Sequence, residues 1–202
     1  MKSFPSNILD TIEKKSQNFY PILFYGNESG LILSLIKSLY NVLNTKLEID
    51  DIKYFDYKND KDEELKYVLN NSSLFSKTNF IVLINPQDRL IKELENFKKT
   101  NNILIINGEK LNTKSKLKSY FDNHQNYIGV PCYQLDRNYI KKTIDTSLKN
   151  HNITLTNEAY WFLVENISED FLTLESELQK LSIFKNSSIS LEDLQKLIVK
   201  KH

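Results

Sequence analysis

Apolar residues fall in short continuous runs through the first two thirds of the chain, with helically spaced apolar residues between them. Residues 22–26 (ILFYG), 80–84 (FIVLI) and 103–107 (ILIIN) read as strands buried on both faces. Residues 52–57 (IKYFDY) alternate as a half-buried strand does, and 127–130 (YIGV) suits a last strand. Between them, Leu31, Leu35, Leu39, Val42 and Leu43 mark a helix over 30–44. Residues 60–70, an acid-started amphipathic stretch, and 88–99 and 114–123 also have helical spacing. Strands alternating with helices predict an α/β fold, a parallel sheet flanked by helices. After Pro131 the pattern is helical only, over roughly 136–150, 156–166, 170–185 and 190–200. Thr156 and Ser190 are the expected N-caps, and Asp193 stands three residues after Ser190 as in a capping box. The chain therefore divides into an α/β domain, 1–132, and a small helical domain, 133–202.

Composition narrows the function classes. A net charge of +1 over 202 residues gives no global field toward nucleic acid or membrane, so any such contact is local. Only Arg89 and Arg137 are arginines, which thins the supply of bidentate phosphate clamps. One cysteine, Cys132, excludes an internal disulfide and a four-cysteine zinc site. No secretory leader pattern and no apolar run of membrane-spanning length are present, which predicts a cytoplasmic protein without membrane partners.

The strand–turn–helix stretch FYGNESGLILS has the layout of a phosphate-binding loop. Its turn is Gly26, Asn27, Glu28, Ser29 and Gly30. Such a loop needs a Lys and a Ser or Thr after its last Gly, and the sequence offers Leu31, Ile32 and Leu33. The strand FIVLIN ends in Asn85 where a magnesium-positioning Asp is expected, and Asp88 lies beyond Pro86. The loop reads as degenerate, a turn retained for its geometry and not expected to bind ATP. His124, His151 and His202 are scattered without ligand spacing, so no metal or other cofactor is expected. Cys132 reads as a packed thiol, and Glu175 and Glu177, two apart on a helix, do not share a face. Lys110, Lys114, Lys116 and Lys118 gather at a strand-to-helix turn, which suits either a solvated surface or a DNA or phosphate contact. Leu74 and Phe75 stand among Ser72, Ser73, Ser76 and Thr78; on pattern alone, an apolar pair beside a strand is read as core.

Taken together, ILFYGNESGLI, NSSLFSKTNFIVLI, ILIINGEKLNTKSKLKSYF, VPCYQLDRNYI and EDFLTLESELQKLSIF with ISLEDLQKLI resemble, in order and spacing, the delta subunits of bacterial DNA polymerase III clamp loaders. The resemblance runs from about residue 20 to 200. It implies an AAA+/RecA-like α/β domain followed by a helical lid, with no ATPase activity of its own, inside the DNA polymerase III holoenzyme. It implies as partners the sliding clamp (beta subunit), the delta prime and gamma/tau loader subunits, and primer-template DNA. Leu74 and Phe75, with Ser73, become the clamp-binding residues, a hydrophobic wedge that opens the ring during replication. The family continues into a third, helical collar domain, and this chain stops at LIVKKH, so a truncated or short form is expected. The alternatives are a nucleic-acid-binding adaptor working through the lysines, a divergent phosphate-loop NTPase, and another clamp-loader subunit. The missing phosphate-loop Lys and zinc cysteines speak against the last as a motor.

Overall fold

The computed structural model describes residues 1–14, 20–47, 49–59, 66, 67, 69, 78–95, 102–112, 114–184 and 187–197. The chain divides into two compact units, Met1–Tyr133 and Gln134–His202.

The first unit is built on a five-stranded sheet. Its strands are β1 (Ile22–Tyr25), β2 (Ile49–Asp56), β3 (Thr78–Ile84), β4 (Ile103–Gly108) and β5 (Ile128–Pro131). Their order is β2-β3-β4-β1-β5 and every pairing is parallel. The continuous apolar runs follow from this, because both faces of the central strands are covered. On one face Leu23, Ile81, Leu83, Leu104 and Ile106 pack with Leu90 and Leu94 of α3 (Leu90–Glu95) and Leu117 and Phe121 of α4 (Lys116–Asn123). The strand pleat turns Phe80 to the other face, where Tyr40 of α2 (Ser29–Asn44) meets it edge-on, ring centroids 5.5 Å apart. Leu31, Ile32, Leu35, Ile36, Leu39 and Leu43 form the buried stripe of α2.

The outer edge of β5 is occupied. Lys2 bridges Gly129, and Ser3 N–H donates to the Gly129 carbonyl at 2.9 Å. A short 3₁₀ turn, Pro5–Asn7, leads into α1 (Ile8–Lys14), whose Ile8 and Ile12 are buried. The hydropathy pattern does not announce this N-terminal piece. The strand β2 begins at Ile49, earlier than the alternation suggests, with a register shift between Ile49 and Ile52.

The second unit holds α5 (Arg137–His151), α6 (Asn157–Asn166), α7 (Phe171–Leu181) and α8 (Leu191–Leu197). Each begins at a side-chain cap. Asp136 accepts from Tyr139 N–H at 2.7 Å, Thr156 from Ala159 N–H at 3.3 Å, and Asp170 from Thr173 N–H at 2.7 Å. At α8 Ser190 and Asp193 make the reciprocal pair, each side chain accepting from the other's N–H at 3.3 Å. Asn152 closes α5 in the left-handed conformation at φ 52. Besides the helices there is a parallel pair of two-residue strands, β6 (Thr154–Leu155) and β7 (Ser188–Ile189), too short to leave an alternating signature.

Candidate functional site at the carboxyl edge of the sheet

In open α/β sheets ligands bind at the carboxyl ends of adjacent strands whose following helices leave to opposite faces. Here those strands are β1 and β4: α2 follows β1 to one face and α4 follows β4 to the other. The Gly26–Gly30 turn and the lysine-bearing turn after β4 both lie at this crevice.

The turn after β1 is closed onto the protein's own backbone. Gly26 has φ +145, and a Cβ on it would lie 1.9 Å from the Cys132 carbonyl oxygen. Cys132 N–H donates to Tyr25 O at 2.7 Å, and Glu28 N–H donates to Cys132 O at 3.1 Å. A phosphate-binding turn presents such N–H groups to its ligand. Asn27 is exposed, and Glu28, half-buried, sits at the N-cap of α2, where a carboxylate favours the helix dipole and opposes an incoming phosphate. Ser29 and Gly30 are already helical. Leu31 and Ile32 are fully buried, so either position, as the site of the expected Lys, points into the core; Leu33 is exposed. Burial, reinforced by the charge of Glu28, pushes the Cys132 thiol up to about 12.

The other candidates have structural partners. Asn85, at φ 51, follows β3, and its side chain is the main reason the Asp56 carboxyl is held below its ordinary range; Lys58 N–H and Asn59 add to the effect. Asp88 accepts from Ser115 Oγ at 2.7 Å and Leu117 N–H at 3.1 Å, which places its carboxylate at the start of α4. Burial draws that carboxyl upward, but the bonds from Ser115, Leu117 and Lys116 outweigh it, and the net shift is down. Arg89 donates to Tyr57 O at 3.1 Å and lies 4.8 Å from that ring's centroid. Lys110, Lys114 and Lys116 are exposed. The α4 N-terminus near them already holds Asp88, so a phosphate there would be met by lysine side chains and not by the helix amides. Lys118 is drawn back over the Tyr25 ring at 4.9 Å and toward Tyr133 at 6.0 Å.

Tyr25 donates to both Asp122 oxygens, at 3.0 and 3.1 Å; burial first and then Asp122 raise its phenol. No sequence motif announces this pair. His124, the C-cap of α4, bonds back to Tyr120 O, His151 bonds within α5 to Ser147 O, and Glu177 accepts from Lys180 at 2.7 Å. Among the described residues no group of three side chains is placed to hold a metal. Among them, too, no helix is long and apolar enough to cross a membrane. Ser73, Leu74 and Phe75 lie outside the described residues. In the stretch before them Tyr67 is 68% exposed whereas Leu69 is 2% exposed and belongs to the core, a division the sequence pattern leaves open.

No family model matches the chain. A curated protein, the probable DNA polymerase III subunit delta of Rickettsia prowazekii (strain Madrid E), is 26% identical over 169 residues, covering 81% of this chain and 50% of that protein. The Bacillus subtilis DNA clamp loader delta protein superposes with a TM-score of 0.64 at 14% identity, over 98% of this chain and 63% of its own. The chain resembles clamp-loader delta subunits. The delta-like chain spans about half the length of the Rickettsia relative. Its fold is also that of the Thermotoga maritima RuvB Holliday junction branch migration motor (TM-score 0.55, 13% identity, 96% of this chain and 65% of that one). Domain III of the replication initiation protein DnaA from the same organism superposes at 0.52, with 17% identity, over 96% of this chain and 91% of that one. The α/β architecture, a parallel five-stranded sheet flanked by helices and followed along the chain by further helices, accords with the sequence expectation.

Proposed function

We propose that this chain is a clamp-loader subunit of the delta type, which binds a sliding clamp through Leu74 and Phe75, with Ser73, and opens its ring without hydrolysing ATP. The observation that carries the proposal is the crevice at β1. The residue in place of the phosphate-loop Lys is buried in the core, and the Gly26 turn is closed on Cys132. The likeness to delta proteins supports the partner. On this reading the turn Gly26–Gly30 is a degenerate phosphate loop, and no cofactor serves it. Other loader subunits of the delta prime and gamma/tau kinds, and primer-template DNA within the assembly, complete the partners.

The test is surface plasmon resonance of this chain, and of Leu74→Ser/Phe75→Ser, on the sliding clamp from the same source, without nucleotide. The wild type binds, and the double variant loses at least about 2 kcal/mol. Equal binding by both proteins removes the pair from the contact; no binding by the wild type removes the clamp function itself. The exposed Lys110, Lys114 and Lys116 favour a second reading, a nucleic-acid-binding adaptor, whose DNA affinity falls steeply with salt. A divergent NTPase is separated from both by titration with Mg-ATP, which the closed turn predicts to be silent.

A further inference from the structure

The second unit carries an open groove of about 510 Å³, lined by Asp145, Leu148, Thr154, Leu155, Asn157 and Tyr160. Asp145 and Leu148 come from α5, where with Lys141 they fall at i, i+4 and i+7 on one stripe. Tyr160 comes from the first turn of α6, and the next residue, Trp161, is 45% exposed with its ring centroid 5.6 Å from that of Tyr160. Three features of this groove point to one kind of occupant.

The first is a strand edge. Thr154 N–H donates to Ser187 O at 3.1 Å and Thr156 N–H to Ile189 O at 3.4 Å. In a parallel pair the residue between two such donors turns its own N–H and C=O the other way. The Leu155 backbone groups therefore point away from β7, along the opposite edge of β6, and Leu155 itself lines the groove. The second is charge. Asp145 is the one ionised side chain among the described residues of the lining, and one of its oxygens accepts from Tyr160 Oη at 2.9 Å. Lys141, one turn before Asp145, is 4.9 Å from the centroid of the Trp161 ring, a cation–π contact, and Lys142 and Lys149 also neighbour Asp145 along α5. The third is apolar surface on either side of that acid, from half-buried Leu148, Leu155 and Tyr160.

We propose that this groove is a docking site for an extended basic segment of a protein partner, which adds beside β6 as a third strand. Leu155 supplies the backbone hydrogen bonds, Asp145 pairs with a Lys or Arg of the segment, and its neighbouring apolar side chain fits against Leu148 and Leu155. Side chains two apart along an extended peptide lie on one face, so alternating basic and apolar residues are the sequence the groove selects. The site is independent of the clamp contact and does not rest on it.

The chain's single tryptophan, Trp161, reports the test directly. The full chain is titrated with acetyl-Lys-Val-Arg-Val-Lys-amide while tryptophan emission is followed. Three controls run beside it: the same peptide N-methylated at alternate amides, its all-Glu counterpart, and the Asp145→Asn, Asp145→Lys and Tyr160→Phe variants. The basic peptide gives a saturable shift, and the N-methylated and acidic peptides give none. Asp145→Asn weakens the dissociation constant by about tenfold, as loss of a charged hydrogen bond does. Asp145→Lys abolishes binding, whereas Tyr160→Phe, which keeps the carboxylate, retains it. Asp145 is exposed, and an unchanged circular dichroism spectrum confirms that these variants fold. No saturable shift at millimolar peptide, or equal binding of the acidic peptide or by Asp145→Lys, overturns the proposal. So does self-association of the chain that Asp145→Lys abolishes in sedimentation, which assigns the groove to a second copy.

Discussion

Replacing Gly26 by Ala separates a glycine kept for packing from one kept for phosphate. The added Cβ meets the Cys132 carbonyl oxygen at 1.9 Å and its carbon at 2.4 Å, both backbone atoms that cannot swing aside as a side-chain tip can. The backbone at φ +145 is itself one that non-glycine residues adopt at about 1–3 kcal/mol. Moving the Cys132 carbonyl also strains the Glu28 N–H bond of 3.1 Å, worth roughly 0.5–1.5 kcal/mol. Together these give a loss of about 2–4 kcal/mol. Gly30 is the internal control: it lies inside α2, where Ala is the better helix former, so Gly30→Ala is neutral or stabilising by up to about 1 kcal/mol. Urea denaturation followed by far-ultraviolet circular dichroism measures both, with the slope checked for a change in the denatured state. A Gly26→Ala loss below about 1 kcal/mol would refute the packing account. So would a Gly30→Ala penalty as large as that at Gly26, since the contact with the Cys132 carbonyl predicts a contrast between the two positions.

Three further outcomes follow from the same edge. Cys132 is fully buried and its thiol is raised to about 12, so Ellman's reagent modifies the native chain only as fast as it opens, and reacts at once in urea; prompt native labelling would remove the packed-thiol account. Because the folded thiol pKa lies above its unfolded value, its contribution to stability is complete below about pH 8.5 and falls as pH rises toward 12, with a slope near 1.4 kcal/mol per pH unit. Asp88→Ala strips Ser115 and Leu117 of their acceptor and lowers stability by about 1–2 kcal/mol; because this carboxyl is depressed in the fold, the loss is seen in full above about pH 4 and shrinks as pH falls through the folded pKa, and a pH-independent difference would count against the assignment.

The legible parts of the fold were those where a side-chain pattern is enough. Strands β1, β3 and β4 are continuous apolar runs because both faces are covered, and the stripe of α2 repeats at helical spacing. Ser190 and Asp193 announce the start of α8 because a capping box is a contact between side chains and nearby backbone. What was hidden depends on backbone meeting backbone across long sequence separations. The Met1–Ser3 segment pairs with Gly129 through main-chain groups, and no hydropathy pattern records that. The β6–β7 pair is two residues long, and the direction of its open edge follows only from the register. At the site, the missing Lys was visible as Leu31, but the closure of the turn was not, since the group that fills it is the carbonyl of Cys132. Asp88 was visible only as an acid out of place; its role as cap for α4 requires knowing that the end of β3 and the start of α4 lie side by side.

A subunit that hydrolyses nothing can change a partner's conformation only by binding one of its states better than the other. On the clamp-loader reading the free energy available from Leu74 and Phe75 is that of burying a Leu and a Phe, about 1.5–3 kcal/mol each and so roughly 3–6 kcal/mol together. Turning an equilibrium from 1:99 to 99:1 takes about 5.5 kcal/mol of differential affinity. The two side chains suffice only if nearly all of their burial is gained in the open ring and little in the closed one. A pocket equally formed in both states would hold the protein on the ring and open nothing. The reading therefore makes a demand on the partner as well as on this chain: the affinity of this chain for a clamp locked shut by an interfacial cross-link must fall by a large part of those roughly 3–6 kcal/mol. Equal affinity for locked and free clamp would leave Leu74 and Phe75 as an anchor and require the opening force to come from another surface of the protein.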